Sequence, residues 1–134
     1  MKNKTLSQSS EDYLETIYIL FIGGGNVRTK DISKNLQVSL PSVTIAIKKL
    51  AERGFVIYEK YGSVKLTQEG TKIAKETHKK HKVLLKFFNK ILKVDEKTAS
   101  EDACRMEHGL SKKTLSKLIL YINNIKGGKY NARI

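Results

Sequence analysis

Apolar residues recur along the chain with the spacing of helix faces. Leu14, Ile17, Tyr18 and Phe21 stand at i, i+3, i+4 and i+7, behind Ser9 as an N-cap with Asp12 three positions on. Gly23-Gly24-Gly25 predicts the end of this first helix, because glycine accepts the left-handed backbone beyond a C-terminus. A short second helix begins at Thr29 and turns Ile32 and Leu36 inward. Gln37-Val38 then makes a tight turn. Ser39 caps a third helix, and Pro41 sits in its first turn, where a missing N–H costs nothing. Val43, Ala46, Ile47 and Leu50 share the inner face of that helix, and Gly54 closes it.

The period then changes. Phe55-Val56-Ile57-Tyr58-Glu59-Lys60 is rich in β-branched and aromatic residues, and a turn at Tyr61-Gly62-Ser63 leads into Val64-Lys65-Leu66, which predicts a hairpin. Two short helices, a tight turn and a hairpin, in that order, are the pattern of a winged helix-turn-helix. Thr67 caps a long fourth helix reaching about Leu92, with Ile73, Thr77, His81, Leu84, Phe88 and Ile91 inward. Gly70 in its first turn is a modest cost. Asp95 starts a fifth helix that stops at Gly109, and Ser111 a sixth, with Leu115, Leu118, Ile119 and Ile122 on one face and Gly127-Gly128 at its end. The expected fold is mainly α with a small β-hairpin wing: a winged helix-turn-helix over 1–70, then a helical domain over 71–134.

Composition narrows the function. The 134 residues carry 26 Lys and Arg against 13 Asp and Glu, a formal charge of +13. Such a balance points to an anionic partner, most often nucleic acid, against the plainer reading of solubilising surface charge. Arg28 to Lys65 holds 8 basic and 3 acidic residues, whereas the stretch after Gly70 holds 16 and 6, so most of the excess lies outside the helix-turn-helix and wing. One Cys excludes an intramolecular disulfide framework and suits a reducing cytoplasm. No apolar run approaches the ~20 residues of a membrane span. No small-molecule substrate is expected. Neither a Gly-rich nucleophile turn nor a general-base motif is present, which argues against a metalloenzyme or Cys–His hydrolase.

Cys104, Glu107 and His108 stand at i, i+3 and i+4, so a helix would project all three from one face. Thiolate, carboxylate and imidazole together are good ligands for a divalent transition metal. The alternative is a buried Cys beside a dipole-favoured His. His81 falls on the apolar stripe of the fourth helix, either as a ligand or as a hydrogen-bonded core histidine. Asp12 and Glu15, one turn apart on the first helix, are ligands or simply helix-start carboxylates.

Four stretches carry a family resemblance: Glu11-Asp12-Tyr13-Leu14-Glu15-Thr16-Ile17-Tyr18, Ser39-Leu40-Pro41-Ser42-Val43-Thr44, Val56-Ile57-Tyr58-Glu59-Lys60-Tyr61, and Glu101-Asp102-Ala103-Cys104-Arg105-Met106-Glu107-His108. In order and spacing they resemble the diphtheria toxin repressor and manganese transport regulator family of metal-dependent repressors, in its short form without an SH3-like domain. The resemblance implies a winged-helix domain, a helical dimerisation domain, and metal bound between them. It implies Asp12, His81, Cys104, Glu107 and His108 as ligands, with Glu15 where manganese-type members also supply a carboxylate. The set is mixed, because Cys104 matches iron-type members and Asp12 manganese-type ones. Ser100 and Leu85 replace two iron-type ancillary ligands, so a second ion would rest on Glu15 and His81. Fe²⁺ or Mn²⁺ is the expected corepressor, iron slightly ahead, with Zn²⁺, Co²⁺ or Ni²⁺ substituting in vitro.

For DNA, the third helix is the expected reader of a palindromic operator by a homodimer. Ser39, Pro41, Ser42 and Thr44 are small enough to let the backbone approach, and the resemblance places contacts around them. Ile45 faces outward and suits a thymine methyl. Lys48 and Lys49, and Lys60 and Lys65 in the wing, suit phosphates, and Thr29 completes the set. The rival readings are a winged-helix regulator sensing something other than metal, and an architectural DNA-coating protein.

Overall fold

In the computed structural model, residues 6–125 are described. They fall into two compact units that divide between Thr77 and His78, within the fourth helix.

In the first unit, α1 (Gln8–Gly24) is followed by β1 (Val27–Arg28), α2 (Thr29–Leu36), α3 (Leu40–Glu52), β2 (Val56–Tyr58) and β3 (Ser63–Leu66). The N-cap of α1 is Ser7, whose hydroxyl accepts from the Ser10 N–H at 3.1 Å. The helix therefore begins before Ser9, because Ser7 reaches the free N–H groups first. It also runs on through Gly24, with Gly25 as its C-cap.

The turn between α2 and α3 is closed from both sides. The Ser33 hydroxyl donates to the Val38 carbonyl at 2.5 Å, and the Val38 N–H donates to the Ser33 carbonyl at 3.2 Å. Gln37 takes the left-handed conformation that so tight a reversal requires, at φ 58°. Ser39 then caps α3 by accepting from the Ser42 N–H.

The sheet has three antiparallel strands in the order β1-β3-β2. Val27 pairs with Val64, and Tyr58 pairs with Val64 from the other side. The wing is thus more than the expected hairpin, since β1 adds a third strand. Its tip is a single 3₁₀ turn, Lys60–Gly62, with Tyr61 at φ 62°. Leu14, Ile17, Ile32, Val43, Ile47, Phe55 and Val64 form the core beneath, each at most 2 % exposed.

The long helix α4 (Gln68–Lys86) starts against this core. The Thr67 hydroxyl donates to the Gly54 carbonyl at 2.7 Å and accepts from the Gly70 N–H at 3.1 Å. A Cβ at position 70 would collide with the Phe55 carbonyl oxygen. Gly70 is therefore a close-approach residue that lets α4 lie on the Phe55 backbone, rather than a tolerated defect.

In the second unit, α4 loosens into a π turn over Phe87–Ile91, followed by α5 (Glu96–Met106), a 3₁₀ turn (Glu107–Gly109) and α6 (Lys112–Asn124). Asp95 caps α5 and Ser111 caps α6. The expected stop at Gly127-Gly128 lies outside the described residues. Among the described residues, Leu84, Ala99, Ala103, Leu115 and Ile122 are the buried apolar side chains here, supplemented by the edge-on packing of Phe87 against Tyr121. No described helix is long and apolar enough to cross a membrane.

Candidate metal centre and DNA-reading face

Glu107 begins the 3₁₀ turn that follows α5, and its side chain is 0 % exposed. A buried carboxylate at the C-terminal end of a helix is doubly unfavourable, being desolvated and facing the negative end of the dipole. Two imidazoles offset that cost. His81 Nδ1 lies 2.9 Å from Glu107 Oε1, and His108 Nε2 lies 3.3 Å from Oε2. The second contact is an ion-pair approach without hydrogen-bond geometry, so Oε2 has no hydrogen-bond partner among the described residues. A buried, orphaned carboxylate oxygen between two nearly buried imidazoles is a donor set that fits a divalent cation. His78, one turn before His81, has its pKa lowered by burial and then by Lys82 and His81, with Glu107 opposing.

Cys104 lies on α5, one turn before Glu107 and His108. It is exposed, and no described cluster of ligand atoms within 4.8 Å includes its sulfur. In the first unit, Asp12 is half-buried and Glu15 buried, one turn apart on α1.

The outer face of α3 carries exposed Ser39, Pro41, Ser42, Lys48 and Lys49, with Ile45 58 % exposed and Thr44 half-buried. A shallow groove runs between this face and the start of α1, lined by Ser9, Ser10, Ser42, Ile45, Lys49 and Arg53 among others. In the wing, Lys60 is exposed, while Lys65 makes a 3.9 Å surface ion pair with Glu59. Thr29 is buried, its hydroxyl close against Gly62 at the wing tip, so it packs inside rather than presenting its side chain to DNA.

Residues 5–64 match the iron dependent repressor N-terminal DNA binding domain, and residues 67–133 match the iron dependent repressor metal binding and dimerisation domain. The chain belongs to the iron-dependent repressor family. Membership makes it a metal-dependent, DNA-binding transcriptional regulator rather than an enzyme, with dimerisation carried by the C-terminal match. It is 43% identical over 123 residues to an uncharacterized HTH-type transcriptional regulator of Methanocaldococcus jannaschii, covering 90% of this chain and 98% of that one. It is 38% identical over 110 residues to the HTH-type transcriptional regulator MntR of Bacillus subtilis, covering 82% and 77%. Among solved structures, the manganese regulator SloR superposes with a TM-score of 0.76 at 29% identity, over 85% of this chain. This chain spans about half of that one, 53%.

Within this family frame, the second unit brings together His81, Glu107 and His108. The groove shows what sequence reasoning missed. Arg53, whose guanidinium lies 5.4 Å from the Phe55 ring centroid, and Ser9 and Ser10 line the groove beside α3. Arg53 follows the α3 pattern as a basic residue one turn beyond Lys49, which was the available signal. Ser9 and Ser10 are distant in sequence and gave none.

Proposed function

We propose that this protein is a cytoplasmic repressor whose corepressor is Fe²⁺ or Mn²⁺, and that metal-loaded homodimers read a palindromic operator. The observation that carries the metal reading is the buried Glu107 held between His81 and His108. When bound, the ion supplies the positive charge that this buried carboxylate lacks. Asp12 and Glu15 of the first unit complete the ligand set by family resemblance, which makes the ion a tie between the reading domain (1–70) and the dimer domain (71–134). Without it, the carboxylates repel and the tie is lost.

Imidazole and carboxylate donors suit both Fe²⁺ and Mn²⁺, while Zn²⁺, Co²⁺ and Ni²⁺ bind in vitro through their greater affinity for nitrogen. Cys104 bears on the choice between metals, since a thiolate entering the ligand set favours iron. On DNA, Ser42, Ile45 and the small residues at the start of α3 read bases, and Lys48, Lys49, Lys60 and Lys65 hold phosphates. In a two-fold dimer the two α3 helices enter successive major grooves about 34 Å apart. Metal that favours this arrangement is held more tightly when DNA is present, by linkage.

The experiment is selection of bound duplexes from a random-sequence library by the full chain with Mn²⁺, with Fe²⁺ under anaerobic conditions, and with chelator. A palindromic sequence enriched only with metal is expected. The same enrichment in chelator, or metal-dependent enrichment unchanged in His81→Ala, would overturn the reading.

A further inference from the structure

Five lysines of α4, Lys72, Lys75, Lys79, Lys82 and Lys86, are all exposed. At about 100° per residue they fall within an arc of about 80°, and at 1.5 Å per residue they extend along about 21 Å of the helix. The only acids on α4, Glu69 and Glu76, lie outside that arc. Four successive like-charge pairs therefore stack at i, i+3 or i+4 spacing, and each such pair weakens the helix. The stripe is costly to the helix that bears it. Dispersing the same lysines around α4 would solubilise the surface equally well.

We infer that the α4 lysine stripe is a second phosphate-backbone surface for double-stranded DNA, separate from the α3 face. Its length is matched by about 12 phosphates on the two strands of a duplex, at one charge per about 1.7 Å of axis. A row of ammonium groups with no planar fork or aromatic neighbour in the arc reads charge and not sequence. The backbone it holds is the flank of the duplex engaged by α3. The inference rests on the DNA-binding character of the family and adds a surface to it.

The test compares wild type with Lys75→Gln/Lys79→Gln/Lys82→Gln in the full, Mn²⁺-loaded chain, on mixed-sequence duplexes of about 20 and about 60 bp across a salt series. A flank contact predicts that the variant loses about ten-fold affinity on the long duplex and about 2–3 units of log–log salt slope, with the short duplex little changed. Stripe-dependent bridging of donor- and acceptor-labelled short duplexes, with the long duplex unaffected, would place a second duplex there instead and overturn the flank contact. The triple Lys→Arg variant should retain wild-type behaviour, and the glutamine variant should melt no lower than wild type because like charges have been removed. Unchanged slope and affinity on the long duplex overturn the inference, as does stripe-dependent binding to phosphatidylserine vesicles in place of duplex. Failure of the wild-type protein to bind any duplex would instead remove the DNA reading itself.

Discussion

His81 Nδ1 stands 2.9 Å from Glu107 Oε1, joining the middle of α4 to the turn that follows α5 across 26 positions of sequence. The contact fixes which imidazole nitrogen faces the carboxylate and leaves Nε2 as the other donor position. It also makes Glu107 the centre of the site, because both histidines approach it and one of its oxygens has no hydrogen bond.

Glu107→Gln keeps the volume and removes the charge. We expect it to abolish most of the metal-induced rise in melting temperature, which for the wild type at a hundred-fold excess over Kd corresponds to about 2.7 kcal/mol. Melting with Mn²⁺ and with chelator checks this. An undiminished rise in the variant would remove Glu107 from the ligand set.

Gly70→Ala and Gly23→Ala should move stability in opposite directions. At Gly70 the new methyl meets the Phe55 carbonyl, an overpacking that costs about 1–3 kcal/mol. At Gly23, inside α1 with nothing within 4 Å, alanine should add about 0.5–1 kcal/mol by helix propensity. Denaturant unfolding of both variants decides, and a neutral Gly70→Ala would show that α4 can lift from the core freely.

On the reading face, Ile45→Ala should change folding stability by less than about 0.5 kcal/mol, since the side chain is largely exposed. It should nevertheless reduce discrimination at one base pair. Lys49→Gln should lower the salt slope of DNA binding by about one unit with little change in sequence preference. The two effects separate base reading from phosphate anchoring in one set of titrations.

The N-cap of α5 sets an acid limit. The backbone N–H of Thr98, and then its side chain, hold the Asp95 carboxyl below the ordinary value of 3.8. A lowered folded-state pKa means the unfolded chain takes up the proton first. The cap's contribution is therefore complete above pH 3.8 and fades as pH falls through the lowered value. Asp95→Ala should flatten that acid slope and lower the melting point at neutral pH. It should also blunt the response to metal, because Glu107 follows the far end of the same helix.

Much of this was legible in the chain because the decisive signals are local. Ser39, Pro41 and the stripe Val43, Ile47 and Leu50 define α3 within a dozen residues, and Asp95 and Ser111 announce their helices alone. What escaped was tertiary. β1 is two residues long and exists only because Val27 finds Val64, a partner far along the chain. Gly70 looked like a helix defect until Phe55 was seen beneath it.

Among the described residues, the second unit buries five apolar side chains, and two of them are alanines. So thin a core in those residues leaves them marginal by themselves, and pairing with a second copy supplies further apolar contact. Folding and association then share one equilibrium, and the melting point climbs with protein concentration. The number of copies in the cell thus becomes an input beside the metal: a scarce repressor is also a less folded one.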